Sequence, residues 1–359
     1  MRIIRAVEES HHITDKLVRL YNWILQNRQH WMKYLYWVVN KFRPETSPFF
    51  LDRCIVYVRE QFEKWCPHVV VSVHPLTQHI FARILRELNL TEQIPLVTVV
   101  TDPCYGFWKG WACDDVSLYL VANEEAKRQL VDYGVDPGRI KISGMPIRPE
   151  FRPADEKDAR EVRKAYGLDE EKFTVFVNAG YIGGVKMLRI LRELVAGELD
   201  IQAIFLAGRN DDLKTQAELV AKNARFPVKV IGYSDEVEKI MQSANVMVSK
   251  LGGLTTFEAV ACNLPIIADT TTPPMPQEAG TVNLLKKWGA GVMLEKARDI
   301  VPIVRTLIED DVKYSEMKTA MANLAVPNST ENIVNEIKAL LPATQESPGS
   351  IGAAVRQEV

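Results

Sequence analysis

The chain has 359 residues, of which 47% are hydrophobic and 25% charged, a globular composition long enough for about two domains. Its net charge of −2 gives no electrostatic basis for binding nucleic acid. The five cysteines form no CxxC pair, which indicates reduced thiols in a cytosolic protein and argues against a disulfide framework or a zinc site. The N-terminus lacks the pattern of a signal peptide, and no segment approaches the ~20 consecutive apolar residues of a membrane span.

The first 43 residues are rich in aromatic and basic side chains. They predict a long helical region over residues 13–43, and residues 1–43 hold eight Lys and Arg against three Asp and Glu. Two interpretations are open: an interfacial helix that faces anionic lipid, or core aromatics with a solvated basic face. The aromatic residues are Tyr21, Trp23, Trp31, Tyr34, Tyr36, Trp37 and Phe42.

Beyond this region, short apolar strands alternate with helices, a pattern that predicts a parallel sheet covered by helices on both faces. The predicted helices are 49–65, 76–89 and 123–132, the last ended by Gly134, and the predicted strands are 68–73, 95–101, 117–121 and 139–142. Pro and Gly over residues 144–149 then mark a linker near 145–153.

A second unit of the same kind follows the linker. Its predicted strands are 172–178, 201–207, 228–232, 246–249, 265–269 and 291–294, and its predicted helices include 185–196, 298–309, 312–325 and 329–341. We therefore predict an α/β protein with an N-terminal domain over 1–148, a C-terminal domain over 149–342 with a closing helix, and a flexible tail over 343–359. Ligands of doubly wound units bind at the carboxyl ends of the strands, which predicts a site in the cleft between the domains.

The most informative segment runs from Ser249 to Glu258, between a strand and a helix. Its Gly252-Gly253 turn lets backbone N–H groups approach an anion at the helix N-terminus, which suits a diphosphate, and Thr255 and Thr256 add hydroxyl donors. A second interpretation is structural, because Thr255 and Glu258 also have the spacing of a capping box.

Two further loops hold candidate ligand contacts. Residues 180–184 form a second glycine cluster between a strand and a helix, which is either a ligand loop or only a tight turn. Gln277 and Glu278 offer the mixed donors and acceptors that sugar hydroxyls need, although an exposed polar loop explains them equally well.

Candidate proton acceptors follow two strands of the N-terminal domain. Asp102 follows the strand at 95–101, and His74 follows the strand at 68–73. A carboxylate or imidazole at the carboxyl end of a strand could act as a general base, or be a plain loop residue.

Taken in order, these segments resemble the monogalactosyldiacylglycerol synthase family, which is related to the N-acetylglucosaminyltransferase of peptidoglycan lipid synthesis. The segments that carry the resemblance are 67–75, 97–102, 144–151, Gly208-Arg209-Asn210, Lys250-x-Gly252-Gly253-x-Thr255-x-x-Glu258 and Pro276-Gln277-Glu278-x-Gly280. The resemblance implies a GT-B fold, in which two Rossmann-like domains face a cleft.

The resemblance also implies a chemistry and a set of contacts. It implies inverting transfer of a hexosyl group from a UDP-sugar to diacylglycerol or a related lipid, usually without metal and with no other cofactor. By similarity, Glu258 would hold the ribose, and Gln277 and Glu278 would contact the sugar. The residues expected near the diphosphate or nucleotide are Gly183, Gly184, Arg209, Lys250, Gly252, Gly253, Thr255 and Thr256.

Two departures from the family pattern bear on activity. The family begins with a strand and a Gly-Gly-Gly-His loop, and this chain starts where the second strand would fall, which predicts an incomplete N-terminal sheet with exposed backbone edges. The family usually has a His three residues before Trp108, and this chain has Tyr105 there. A Tyr with an ordinary pKa near ~10 is a poor base at neutral pH.

Three functions remain open on these grounds. The first is a glycolipid glycosyltransferase that acts peripherally on the cytoplasmic face of an anionic membrane. The second is a catalytically degenerate member that binds UDP-sugar or membrane. The third is a UDP-sugar 2-epimerase, which has no need of an aromatic, lipid-facing helix.

Overall fold

The computed structural model describes residues 2–28, 31–180, 184–272 and 276–341, and for residues 25–27, 33 and 276–278 it describes the backbone alone. These residues form two compact units. The first comprises residues 2–146 and 328–341 together with 276–277, and the second comprises residues 147–272 and 278–327.

The first unit is built on a parallel sheet of four strands in the order β1-β2-β3-β4. The strands are β1 (Val70–Ser72), β2 (Leu96–Val99), β3 (Leu118–Val121) and β4 (Ile140–Ile142). The helices are α1 (His12–Asn27), α2 (Met32–Phe42), α3 (Pro48–Trp65), α4 (Thr77–Glu87), α5 (Glu124–Asp132) and, from the end of the chain, α14 (Ser329–Lys338). β1 forms one edge of this sheet, and its residue Val71 is 39% exposed.

The helical region predicted over 13–43 contains two helices in the structure. At the start of α1, the His11 ring accepts a hydrogen bond from the Ile13 N–H, as an N-cap side chain does. α2 ends at Phe42, and its C-cap residue Arg43 has a left-handed φ of 45°. The next residue is Pro44, which has no N–H with which to continue the hydrogen bonds of the helix.

The second unit is built on a parallel sheet of six strands in the order β10-β9-β8-β5-β6-β7. The strands are β5 (Thr174–Asn178), β6 (Gln202–Leu206), β7 (Val228–Ile231), β8 (Val246–Ser249), β9 (Ile266–Asp269) and β10 (Gly291–Leu294). The helices are α6 (Glu156–Ala165), α7 (Gly184–Ala196), α8 (Asp211–Ala221), α9 (Val237–Ser243), α10 (Gly253–Ala261), α11 (Pro276–Trp288), α12 (Ile300–Glu309) and α13 (Asp311–Leu324). β5 and β8 are buried along their whole length, as expected for the central strands of a sheet covered on both faces.

The predicted strands agree with the observed ones to within two residues at each end. Two features differ from the sequence prediction. The first is helix α6, which follows the linker where the sequence analysis placed no element. Its N-cap residue Asp155 accepts a hydrogen bond from the Asp158 N–H.

The second difference concerns α14, which the sequence analysis assigned to the C-terminal domain and which the structure groups with the first unit. Ile333 of α14 is 5% exposed because it packs in one cluster with Val97, Val99, Leu118 and Leu120 of β2 and β3. The Ser329 hydroxyl donates to the Met145 carbonyl at 2.6 Å. Packing on an apolar sheet face therefore decides the place of this helix, and sequence order alone could not show it.

Two structural features are absent from the described residues. None of the helices there is both long and apolar enough to cross a bilayer. The same part of the chain holds no cluster of three or more His, Cys, Asp or Glu side chains placed to bind a metal ion.

Candidate functional site

The first feature of the site is the turn between β8 and α10. Gly252 is the N-cap of α10 in an extended conformation, and no side chain caps the helix. A Cβ atom added to Gly252 would meet nothing within 4 Å, so open space lies in front of this turn. Within the described part of the chain, no side chain caps the first N–H groups of α10, and they lie beside open space, the arrangement in which helix N-termini bind anions.

The capping-box interpretation of Thr255 and Glu258 is wrong. A capping box needs Thr255 at the N-cap, but the helix begins two residues earlier, and the Gly252 carbonyl accepts from the Thr256 N–H at 3.0 Å. Thr256 is 1% exposed, and its Oγ1 has no hydrogen-bond partner among the described residues. The hydroxyls predicted to donate to a diphosphate thus lie in the first turn of α10, with that of Thr256 turned into the interior.

The second feature is the turn between β5 and α7. The Asn178 side chain accepts from the Gly180 N–H at 3.0 Å, and Gly180 has a left-handed φ of 55°. Gly183 lies outside the described residues, and α7 begins at Gly184. A Cβ atom on Gly184 would come within 3.3 Å of Leu213 Cδ2, so this glycine also allows α7 to pack closely on α8.

The two turns leave the sheet side by side. β5 pairs directly with β8, with Asn178 opposite Ser249, and the chain then runs outward in both directions from this pair. This is the topological switch point of a doubly wound sheet, where ligands bind outside the carboxyl ends of the strands. The residues predicted from the glycine motifs are therefore brought together on one edge of the second unit.

Basic residues surround this edge. Arg209 follows β6, and its guanidinium carbon lies 4.3 Å from the ring centroid of the exposed Tyr233. Lys250 follows β8 directly and is half-buried. Lys186 in the first turn of α7 donates to Thr272 Oγ1 at 2.6 Å, a contact that the sequence analysis missed. In the sequence, the only indication of a role for Lys186 is its position two residues after the Gly183-Gly184 pair.

Glu258 lies in α10, six residues beyond Gly252, and is half-buried. Burial raises the pKa of its carboxyl above the ordinary value, the charge of Arg148 opposes this rise, and the charge of Glu238 adds to it. Arg148 also pairs with Glu238, from Nη2 to Oε2 at 2.6 Å. Arg148 was part of the family motif without an assigned role, and its charge lowers the pKa of the carboxylate predicted to hold the ribose.

The two residues predicted to contact the sugar cannot be described at the level of side chains. Gln277 and Glu278 belong to the first turn of α11, but their side chains lie outside the described part of the chain. Their sugar contacts stay a prediction.

In the first unit, Asp102 follows β2. Its Oδ2 accepts a hydrogen bond from Trp111 Nε1 at 2.7 Å. Burial raises the pKa of Asp102 above its ordinary value, and the Trp111 hydrogen bond opposes that rise. The charge of Asp102 contributes, after burial, to the raised pKa values of Tyr21 in α1 and Tyr36 in α2.

The backbone next to Trp111 is held by two side chains of α4. Trp111 is 1% exposed in a 3-10 turn over Lys109–Trp111. The carbonyl of Gly110 accepts from Gln78 Nε2 at 2.7 Å and contacts His79 Nε2 at 2.8 Å. The orientation of Trp111, and through it that of Asp102, thus depends on α4.

His74, the other candidate base, and Tyr105, which stands where the family has a His, have different surroundings. His74 Nδ1 accepts from the Leu76 N–H at 3.2 Å, which leaves the proton of the neutral ring on Nε2, and burial lowers the pKa of this imidazole. Tyr105 is 48% exposed and donates its hydroxyl to Asp132 Oδ2 at 2.9 Å. This hydrogen bond raises the pKa of Tyr105, so Tyr105 does not replace the family's His as a base.

The N-terminal helices carry large exposed apolar side chains. Trp37 is 60% exposed and Phe42 is 68% exposed, whereas aromatic side chains in a core are almost fully covered. Also exposed on α1, on α2 or between them are Leu17, Leu20, Tyr21, Trp23, Trp31, Tyr34 and Val38. The interpretation of these aromatics as core residues is therefore wrong for most of them.

Comparison with solved structures defines the class of fold. MurG from Acinetobacter baumannii superposes with a TM-score of 0.60 at 15% identity, covering 81% of this chain and 79% of that one. Anabaena HepE in complex with UDP-glucose superposes with a TM-score of 0.54 at 14% identity, covering 80% and 82%. At these identities the likeness shows the fold, which is GT-B.

Comparison with protein families then gives the particular domains. Residues 2–147 match the monogalactosyldiacylglycerol (MGDG) synthase family, and residues 181–332 match the glycosyltransferase family 28 C-terminal domain. These matches confirm the resemblance drawn from the motifs: the first part of the chain is similar to MGDG synthases, and the second part is similar to the C-terminal domain of glycosyltransferase family 28.

Curated relatives agree with this assignment. A processive diacylglycerol beta-glucosyltransferase of Bacillus pumilus is 29% identical over 244 residues, which cover 68% of this chain and 62% of that protein. A probable chloroplastic monogalactosyldiacylglycerol synthase 3 of Oryza sativa subsp. japonica is 32% identical over 294 residues, which cover 79% of this chain and 56% of that protein. The chain thus spans less than two thirds of the length of either relative.

Proposed function

We propose that this protein transfers a hexosyl group, galactose or glucose, from a UDP-sugar to diacylglycerol or a related lipid, with inversion at the anomeric carbon. The observation that carries the proposal is the pair of glycine turns on the neighbouring strands β5 and β8, each of which opens a helix at the switch point of the sheet. Both family matches and the names of the relatives point to the same reaction.

The donor side of the proposal rests on the charge that develops when the glycosidic bond breaks. The leaving UDP gains negative charge, and preorganised N–H groups and cations stabilise such charge in the transition state. The N-termini of α7 and α10 and the basic residues around them provide these groups, and Glu258 accepts from the ribose hydroxyls. No cofactor beyond the UDP-sugar donor enters this proposal.

The acceptor side of the proposal assigns the general base to Asp102. The Trp111 indole donates a hydrogen bond to one carboxylate oxygen of Asp102, which leaves the other oxygen to accept a proton. Because the pKa of Asp102 is raised, its ionised carboxylate is a stronger base than that of an ordinary Asp. Asp102 removes the proton of the acceptor hydroxyl, the hydroxyl oxygen attacks the anomeric carbon, and UDP departs from the opposite face. His74 is the weaker candidate, because its Nδ1 lone pair is already engaged.

We also propose that α1 and α2 bind the surface of an anionic membrane, so that the protein acts peripherally, on the cytoplasmic face. Exposed Trp and Phe side chains beside an excess of basic residues are typical of helices that lie in the lipid interface.

The decisive assay measures transfer from radiolabelled UDP-galactose and UDP-glucose to diacylglycerol in mixed micelles, with UDP binding measured in parallel by calorimetry. A lipid-linked hexose from either donor, with the β configuration in its NMR coupling constants, supports the proposal and identifies the sugar. UDP binding without product would contradict it and favour the degenerate, binding-only member. Release of a 2-epimeric sugar nucleotide without lipid product would favour the epimerase.

A further inference from the structure

Lys186 has an unusual position for a cation. It is the third residue of α7, and its side chain is half-buried. The helix dipole repels a positive charge at this end, where acidic side chains are normally favoured. The group that its ammonium contacts is the neutral hydroxyl of Thr272, and it forms no ion pair with any residue that the structure describes.

The topology places the Lys186 ammonium at the carboxyl end of β8. α7 follows β5 and Thr272 follows β9, and β8 lies between these two strands in the sheet. Neighbouring strands are ~4.8 Å apart, so the Lys186–Thr272 contact bridges about 10 Å across the end of β8. The segment that leaves β8 at this point is the Gly252 turn, with open space in front of it.

The partner of Lys186 is itself held in place. The buried Asp269 at the end of β9 accepts from the Thr271 N–H at 3.0 Å and from the Thr271 hydroxyl at 2.6 Å. This turn fixes the loop that presents the Thr272 hydroxyl. A hydroxyl held in this way keeps the ammonium over the turn but does not neutralise it.

We infer that Lys186 supplies the positive counter-charge for the diphosphate of the donor, exchanging Thr272 for a phosphate oxygen when the nucleotide binds. The inference rests on the proposed function and adds to it a residue that neither the motifs nor the comparisons assign. Two helix N-termini and one unneutralised ammonium converge on the same opening, and a doubly charged diphosphate is the ligand chemistry that satisfies all three.

The test compares the binding of UDP and uridine by calorimetry to the full chain, the variant Lys186→Ala and the matched control Arg189→Ala. Arg189 is an exposed cation one turn further along α7, so its removal changes the net charge equally. A lost charge-assisted hydrogen bond predicts an affinity for UDP about tenfold to a hundredfold weaker in Lys186→Ala, with uridine affinity unchanged.

The outcomes separate this inference from the proposed function. If the unaltered chain binds UDP and Lys186→Ala binds it equally well, Lys186 does not contact the diphosphate. If Lys186→Ala weakens UDP and uridine by the same factor, the residue acts on the fold of the site and the inference also fails. If the unaltered chain does not bind UDP at all, the donor site itself is refuted and this inference with it.

Discussion

The carboxyl edges of the two sheets differ, although both sheets are parallel and covered by helices. In the second unit, β5 and β8 end in glycine turns, and the chemistry is offered by backbone N–H groups and cations around open space. In the first unit, β2 is followed by the partly buried carboxylate of Asp102, which accepts a hydrogen bond from the Trp111 indole. Two sheets of the same kind therefore carry different chemical groups at their carboxyl ends, because these groups depend on the side chains and turns placed at the strand ends and not on the sheet itself.

The largest expected effect tests the carboxylate side of this comparison. Asp102→Asn keeps the shape of the side chain and an oxygen that can accept from Trp111, but it removes the base. We expect kcat for transfer to fall by roughly 10²–10⁴-fold while UDP affinity stays unchanged. Steady-state kinetics and calorimetry measure the two quantities, and Asp114→Asn on the following loop should retain activity. Full activity of Asp102→Asn would return the role of base to His74 or another group.

The second prediction concerns the aromatic helices that distinguish the first unit. The double variant Trp37→Ala, Phe42→Ala should bind vesicles containing anionic lipid about thirtyfold more weakly, because it removes ~2 kcal/mol of apolar burial. Cosedimentation measures the partition. Trp288→Ala removes an exposed Trp of the second unit and should leave vesicle binding unchanged. Equal binding of the double variant and the unaltered chain would show that these helices do not face lipid.

The third prediction tests Glu258 on the second unit. Glu258→Gln should weaken UDP binding about tenfold, since a charged acceptor of ribose hydroxyls becomes neutral. It should not lower the melting temperature, because the structure shows no cap at this residue. A lower melting temperature with unchanged UDP affinity would instead assign Glu258 to the stability of α10.

The smallest effect sharpens the role of Trp111. Transfer by a carboxylate base requires the ionised form, so kcat/KM should fall as pH decreases through the pKa of Asp102, which burial holds above the ordinary 3.8. Trp111→Phe removes the N–H that stabilises the ionised form. The pKa therefore rises further, and the acidic limb of the pH profile moves to higher pH.

Trp108→Phe is the control for this experiment, because no described hydrogen bond joins the Trp108 indole to Asp102. Its acidic limb should stay in place. If the acidic limb of the pH profile shifts equally in both variants, or in neither, the ionisation of Asp102 does not control the pH dependence of kcat/KM.

Much of the fold could be predicted because local patterns and tertiary packing agree. The buried strands β5, β6 and β8 are short, mainly apolar runs, which predict buried strands between helices. Helix α6 was missed because its sequence is highly charged and carries only a narrow apolar face. The grouping of α14 with the first unit could not be predicted, because it depends on which apolar surface was left uncovered.

One part of the candidate site could likewise be predicted from the sequence, and another part could not. The glycine turns and Glu258 could be located by motif, because backbone approach to an anion requires glycine at fixed positions in the chain. The choice between a capping box and a ligand turn required the actual start of α10, which differs by a few residues between the two interpretations.

By itself, the sequence determined the parallel α/β architecture, the resemblance to known families, and the position of the glycine turns in the chain, because these follow from periodicity and from residue types at short spacing. Only the tertiary structure decided which groups meet: Trp111 with Asp102, and Lys186 with Thr272 across the end of β8. These partners are 9 to 86 residues apart in the chain, as the positions show. Their contacts arise from strand order and helix packing, which a local pattern does not encode.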